Sequence, residues 1–136
     1  ELNGLKITLA SNDQNVVLEV DPVQFRTVLT NLFENARKYV DRKDKEVVVS
    51  YEVIAEQFIL SITDNGNGVS EENLENLFEL FYRDDRSRTN PSKGNGLGLA
   101  ISKKIIEGFH GTIQACNHSN GGLTIVIILP VKSKRK

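Results

Sequence analysis

Few folds tolerate what lies between Asp64 and Gly98 of this chain. That stretch carries five of the ten glycines, together with Pro91, several Asn and Ser, and Arg83, Arg86 and Arg88. A short helix is expected over 71–77 and a long loop over most of the rest. Structureless loops of such length are uncommon in compact domains and usually serve as lids or binding loops. The flanking segments, by contrast, are patterned for regular structure. With 136 residues there is enough chain for one packed core and not two.

On the N-terminal side, Leu5-Lys6-Ile7-Thr8-Leu9 alternates apolar and polar residues, as a half-buried strand does. Val16-Val17-Leu18-Glu19-Val20 reads as its hairpin partner across a turn rich in Asn and Asp. Asp21-Pro22 supplies an N-cap and a proline for the first helical position. Phe25, Val28, Leu29, Leu32, Phe33 and Ala36 then recur at the offsets of one buried helix face. Strands are expected over 46–54 and 57–64 with Ala55-Glu56 as a tight turn, and beyond the loop a helix over 97–109 and strands over 112–117 and 123–129. Strand pairs with helices between them give a two-layer α/β sandwich (α+β) on a mixed, mainly antiparallel sheet with about three helices. The domain occupies 1–130 with its lid at about 66–96, and 131–136 is a basic tail.

The composition, 39% apolar and 26% charged, is globular. A net charge of −1 lacks the electrostatic footprint of a nucleic-acid binder, so no nucleic-acid partner is expected. No apolar run is long enough to span a bilayer, so no membrane contact by this domain is expected either. One cysteine and two histidines offer neither an internal disulfide nor an obvious zinc site and fit a cytoplasmic setting. The chain contains no Met, even at position 1, which points to an excised or processed piece of a longer protein.

Three polar islands interrupt the apolar pattern. On the long helix, Asn31, Asn35 and Lys38 fall within an arc of about 60° beside the buried face. They are either the polar border of an amphipathic helix or a set that holds a metal–phosphate group, with amide oxygen as a hard ligand and ammonium as counter-charge. Asp64-Asn65-Gly66-Asn67-Gly68 stands where a strand runs out. It is either ordinary turn chemistry or a carboxylate that accepts from an exocyclic amine, a charged hydrogen bond of roughly 1.5–3 kcal/mol. Gly94-Asn95-Gly96-Leu97-Gly98-Leu99-Ala100 opens the next helix and leaves backbone N–H groups free for phosphate oxygens, but it matches neither a dinucleotide fingerprint nor a P-loop.

Taken in order, Asn-x-x-x-Asn-Ala-x-Lys-Tyr (31–39), Asp-x-Gly-x-Gly (64–68), Phe-x-x-Phe-Tyr-Arg (78–83) and Gly-x-Gly-x-Gly-Leu-Ala (94–100) resemble the catalytic ATP-binding domain of sensor histidine kinases. These kinases form part of the GHKL superfamily, with the gyrase, heat-shock chaperone and mismatch-repair ATPases. The resemblance runs over about residues 5–130 and includes Gly121-Gly122 and the strand end Leu129-Pro130.

The resemblance implies ATP and Mg²⁺ as cofactors, with Asn35 as the metal ligand. It sets Asn31 and Lys38 near the phosphates, Tyr39 along the base, and Asp64 as acceptor from the adenine amino group. Gly66, Gly68 and Val69 would shape the adenine pocket. Phe78 and Phe81 would anchor the lid, or simply belong to the core. Lys38 and Arg83 would act on the γ-phosphate, with Arg86 and Arg88 weaker candidates. Gly94, Gly96, Leu97, Gly98 and Leu99 would form the lid's hinge and its phosphate-binding end.

ATP-hydrolysing branches of the superfamily carry Glu four residues before the metal Asn, where it acts as a base. Here that position is Asn31, which takes up no proton at neutral pH, and Glu34 lies about 100° around the helix from Asn35. The expected activity is therefore transfer of the γ-phosphate to a histidine outside this chain. His110, at a helix end, and His118, in a turn, read as a structural cap and a surface residue. The phosphoacceptor would sit on a dimerisation domain upstream of Glu1, with a response regulator downstream and a membrane-anchored parent. A self-contained ATPase and a nucleotide-binding module are the alternatives.

Overall fold

The computed structural model describes residues 6–11, 17–39, 43–74, 76–79, 98–118 and 121–131; for 6–11, 38 and 39 it describes the backbone. The elements are β1 (Lys6–Ser11), α1 (Pro22–Tyr39), β2 (Glu46–Ile54), β3 (Gln57–Asp64), α2 (Glu71–Leu74), α3 (Gly98–Gly108), β4 (Thr112–Asn117) and β5 (Leu123–Pro130). Helix α1 starts as its sequence dictates. Asp21 Oδ1 accepts from the N–H of Val23 at 2.9 Å and of Gln24 at 3.5 Å, and Pro22 takes the first helical position, where no N–H is needed. Val28, Leu32 and Ala36 are buried, with Phe25, Leu29 and Phe33 half-buried beside them. At the far end, Lys45 Nζ donates to the Arg37 carbonyl at 2.5 Å, placing a cation where the helix presents unpaired carbonyls.

The sheet order is β1-β2-β3-β5-β4. The pairs β2–β3, β3–β5 and β5–β4 are antiparallel, and β1 lies parallel to β2 with Lys6 opposite Glu46. Strands β2 and β3 turn over Ala55 and Glu56, whose φ values of 52° and 63° are those of a type I′ turn. The core is one layer between sheet and helices. It takes Val47, Val49, Phe58, Leu60 and Ile62 from one hairpin, Ile113 from β4, and Leu123, Ile125, Ile127 and Leu129 from β5. Against these lie the α1 stripe and Ile106 of α3. The molecule is thus a two-layer α/β sandwich, as the sequence pattern predicts.

The expected hairpin between 5–9 and 16–20 does not form. Residues 17–20 belong to no strand, and β1 pairs with β2 instead. Leu18 and Val20 lean on the core while Val17 and Glu19 face outward, so extended chain buried on one side produces the same alternation as a strand. Alternation reports burial and not the hydrogen-bonding partner. Helix α2 is also shorter than the predicted 71–77. Past Leu74 the bonds close over three residues, Asn76 N–H to Asn73 and Leu77 N–H to Leu74, so the chain turns rather than continuing as α-helix. Leu77 is buried and Phe78 packs on the core. Beyond the end of helix α3 at Gly108, His110 takes the left-handed conformation (φ 67°) and Gly111 N–H returns to the Ile106 carbonyl at 3.0 Å, so His110 is the cap expected of it.

Candidate functional site

Two groups of predicted residues are built by different parts of the fold. The first lies where α1 meets α3. Asn31 and Asn35, one helical turn apart, are both half-buried. Asn31 Nδ2 donates to the Gly98 carbonyl at 3.2 Å and to Ser102 Oγ at 3.3 Å, tying the polar edge of α1 to the first turn of α3. Ser102 is wholly buried, so Asn31 satisfies a hydroxyl that water does not reach. Among the described residues nothing hydrogen-bonds the Asn35 carboxamide. Glu34 is committed elsewhere, its Oε1 accepting from Arg37 Nε at 2.9 Å and Nη2 at 2.7 Å. Leu99 packs on the core from α3.

The second group sits at the end of β3. Asp64 is 7% exposed and shares its face with Ile62 and Leu60. Its Oδ1 accepts from the N–H of Gly66 at 2.9 Å and of Leu123 at 3.0 Å. Among the described residues no donor reaches Oδ2, which leaves one carboxylate oxygen for a ligand. Gly122, at φ 94°, presses against the Asp64 backbone so closely that a Cβ there would collide with the Asp64 carbonyl oxygen. Asn65 ties the same corner to β2, accepting from the Glu46 N–H at 3.0 Å and donating to the Asp44 carbonyl at 2.9 Å. Further along, Val69 is bonded on both sides by the Asn117 carboxamide: its N–H donates to Oδ1 at 2.9 Å and its carbonyl accepts from Nδ2 at 2.6 Å.

Residues 44–46 join the two groups. Lys45 closes the end of α1 that carries Asn35, while Asp44 and Glu46 hold Asn65 beside Asp64. A cavity of about 220 Å³ also opens at these strand ends. Its lining includes Val48 and Thr63, which lie on the sheet face away from the helices, so it backs onto Asp64 from the opposite side. The backbones of Lys38 and Tyr39 continue α1 past Asn35. Arg83, Phe81, Gly94, Gly96 and Leu97, the side chains of Lys38 and Tyr39, and most of the expected lid lie outside the described residues.

Sequence reasoning missed Asn117, Ser102 and Lys45. Each is a lone polar residue with no motif around it, and its partner lies elsewhere in the chain. Only the polar last position of β4, where the inward alternation calls for an apolar residue, hints at Asn117.

Residues 20–133 match the family described as the histidine kinase-, DNA gyrase B- and HSP90-like ATPases. The chain belongs to this family. Within it, the chain has the form of a sensor histidine kinase's ATP-binding domain. It is 39% identical over 115 residues to the signal transduction histidine-protein kinase ArlS of Staphylococcus aureus, a match that covers 85% of this chain and 25% of ArlS. The chain therefore spans about a quarter of the length of that relative. Among solved structures it resembles a mycobacterial sensor histidine kinase, MprB, with a TM-score of 0.82 and 25% identity over 95% of this chain and 85% of that one. It also resembles the catalytic domain of histidine kinase ThkA, with a TM-score of 0.78 and 25% identity over 93% of this chain and 79% of that one.

Proposed function

We propose that this chain binds Mg²⁺-ATP between α1, the start of α3 and the Asp64 loop, and passes the γ-phosphate to a histidine on a separate dimerisation domain. Asp64 accepts from the adenine amino group through Oδ2, with Gly66, Gly68 and Val69 forming the walls of the base pocket. Asn31, Lys38, Tyr39, Gly98 and Leu99 line the rest of the nucleotide, with Arg83, Gly94, Gly96 and Leu97 contributing from the lid. Asn35 would hold Mg²⁺, and the donor chemistry fits: its amide oxygen is a hard, neutral ligand, and among the described residues nothing hydrogen-bonds that carboxamide. Bound Mg²⁺ would draw charge from the phosphates during transfer.

The observation that carries this reading is that, among the described residues, no base stands free beside the metal ligand. Asn31 is an amide already donating to Gly98 and Ser102, and the carboxylate of Glu34 is paired with Arg37. Among the described residues, then, water at the γ-phosphate finds no group free to take its proton. A neutral imidazole attacks through the lone pair of its unprotonated nitrogen: the N–P bond forms as the bond from the γ-phosphorus to the bridging oxygen breaks, ADP leaves with that electron pair, and the other ring N–H gives its proton to solvent afterwards. Lys38 and Arg83 neutralise the oxygens of the phosphoryl group in flight.

We place the domain at 1–130 with its lid at about 66–96, on the cytoplasmic side of a membrane-anchored parent. No described helix is long and apolar enough to cross a membrane. A response regulator is the onward acceptor, in keeping with the complex of ThkA with the response regulator protein TrrA.

Two measurements test the proposal. Calorimetric titration with a non-hydrolysable ATP analogue should give one site whose affinity changes with Mg²⁺. Mixing the chain with ATP and a separate dimerisation domain should give acid-labile phosphate on that domain, with phosphate release by the chain alone at background. Release at full rate without the acceptor would make the chain a self-contained ATPase.

A further inference from the structure

We infer that Asn117 is a positioning residue that sets the base selectivity of the nucleotide pocket by holding the loop after Asp64 in place. The inference rests on the reading of Asp64 as the adenine acceptor. Asn117 is the last residue of β4 and pairs across the sheet with Leu123, the residue whose N–H holds Asp64 Oδ1. The turn end of the β4–β5 hairpin therefore grips the pocket twice. Leu123 grips the carboxylate, and Asn117 grips the loop 48 residues earlier in the chain.

The grip on the loop is a strand contact made by a side chain. The carboxamide of Asn117 presents the same acceptor and donor as a peptide unit, and it meets the N–H and the carbonyl of one residue, Val69, at 2.9 and 2.6 Å. Both bonds fix the orientation of the Val69 peptide groups as well as their position. The adjoining Gly68, at φ 76°, lies so close that a Cβ there would collide with Asn117 Oδ1. Between Asp64 and Val69 the loop is fastened at each end, by Leu123 and Asn117, and at Asn65 by β2. A pocket that recognises one exocyclic amine through a single carboxylate oxygen discriminates only while its opposite wall stays put. Freed from Asn117, the wall of Gly68 and Val69 is released to open for a purine with a carbonyl in place of that amine.

The test is equilibrium binding of ATP, ADP and GTP to the full 136-residue chain and to Asn117→Ala, with thermal unfolding run on the same samples. For Asn117→Ala we expect ATP and ADP to weaken by the same factor, about tenfold for two lost hydrogen bonds, because the phosphate end is untouched. GTP should weaken less, so the preference for ATP over GTP narrows. Asn117→Asp keeps the acceptor for the Val69 N–H and loses the donor to its carbonyl; it should fall between the two and carries the same test should the alanine variant not fold. Gly68→Ala supplies a second measurement: its loss of ATP affinity should be smaller when Asn117 is already Ala, since part of the collision is then gone. A lowered melting temperature with an unchanged ATP-to-GTP ratio in a wild-type chain that discriminates would overturn the role of Asn117 alone. A folded wild-type chain that binds no adenine nucleotide would overturn the reading of Asp64 and this inference with it.

Discussion

Asn31 donates to the buried hydroxyl of Ser102 across the interface between two helices, at 3.3 Å. A residue that the family resemblance sets beside the phosphates is thus also a tie between α1 and the helix that follows the lid. The two roles use different atoms of one amide: Nδ2 is occupied by Gly98 and Ser102, and Oδ1 faces no protein donor among the described residues.

Replacing Asn31 by Ala should therefore cost stability as well as function. It strands the buried Ser102 Oγ, and an unsatisfied buried polar group costs about 1–3 kcal/mol. Urea unfolding should show a lowered midpoint at unchanged slope. An unshifted midpoint would mean that water replaces the amide at no cost.

Asp64→Asn separates binding from folding. An amide oxygen at the same place still accepts from Gly66 and Leu123, so the melting temperature should move by only a few degrees. The remaining position becomes an NH₂ group facing the amine of the base, and ATP affinity should fall by roughly 10- to 100-fold. Equal affinity in the two proteins would remove Asp64 from the base site.

Asn35→Ala removes a motif amide that has no protein partner among the described residues. Nucleotide affinity without Mg²⁺ should be nearly unchanged, and the response to added Mg²⁺ should vanish. A persisting Mg²⁺ response in the titration would assign the metal to another residue.

Gly122→Ala should be among the most damaging small substitutions. The residue sits at φ 94° with the Asp64 carbonyl oxygen where a Cβ would go, so strain and collision act together. A loss of about 2–4 kcal/mol is expected by chemical denaturation. A loss under 1 kcal/mol would show that the β5 end shifts freely.

Glu56→Gly should act in the other direction. Glu56 lies at φ 63° in the β2–β3 turn, where a side chain costs about 1–2 kcal/mol and a glycine about 0.5–1 kcal/mol of extra chain entropy. The net expectation is a gain of about 0.5 kcal/mol. The Val131 N–H bond to the Glu56 carbonyl, at 3.0 Å, involves only backbone and survives the change. A lower melting temperature for Glu56→Gly would refute the strain argument.

Much of this fold was legible because its strongest signals are periodic. The α1 stripe, the Asp21 cap, the Ala55-Glu56 turn and the two final strands all lie where the pattern sets them. What failed was partner choice. Leu18 and Val20 alternate like a strand because the core is on one side of them, and nothing in their spacing could say that β1 would choose β2. The site divides in the same way. Asn31, Asn35, Asp64, Gly66 and Gly68 stood out through motif spacing, whereas Asn117, Ser102 and Lys45 serve through contacts with residues remote in sequence.

The strand order carries a consequence for the chain as it is made. β5 is the last of the described strands in sequence, yet it lies between β3 and β4, and its first residue secures Asp64. A nascent polypeptide that has emerged as far as Cys116 already holds every nucleotide motif singled out from sequence, but lacks the hairpin end that braces them. Binding competence therefore arrives in one step, when β5 emerges to take its place between β3 and β4.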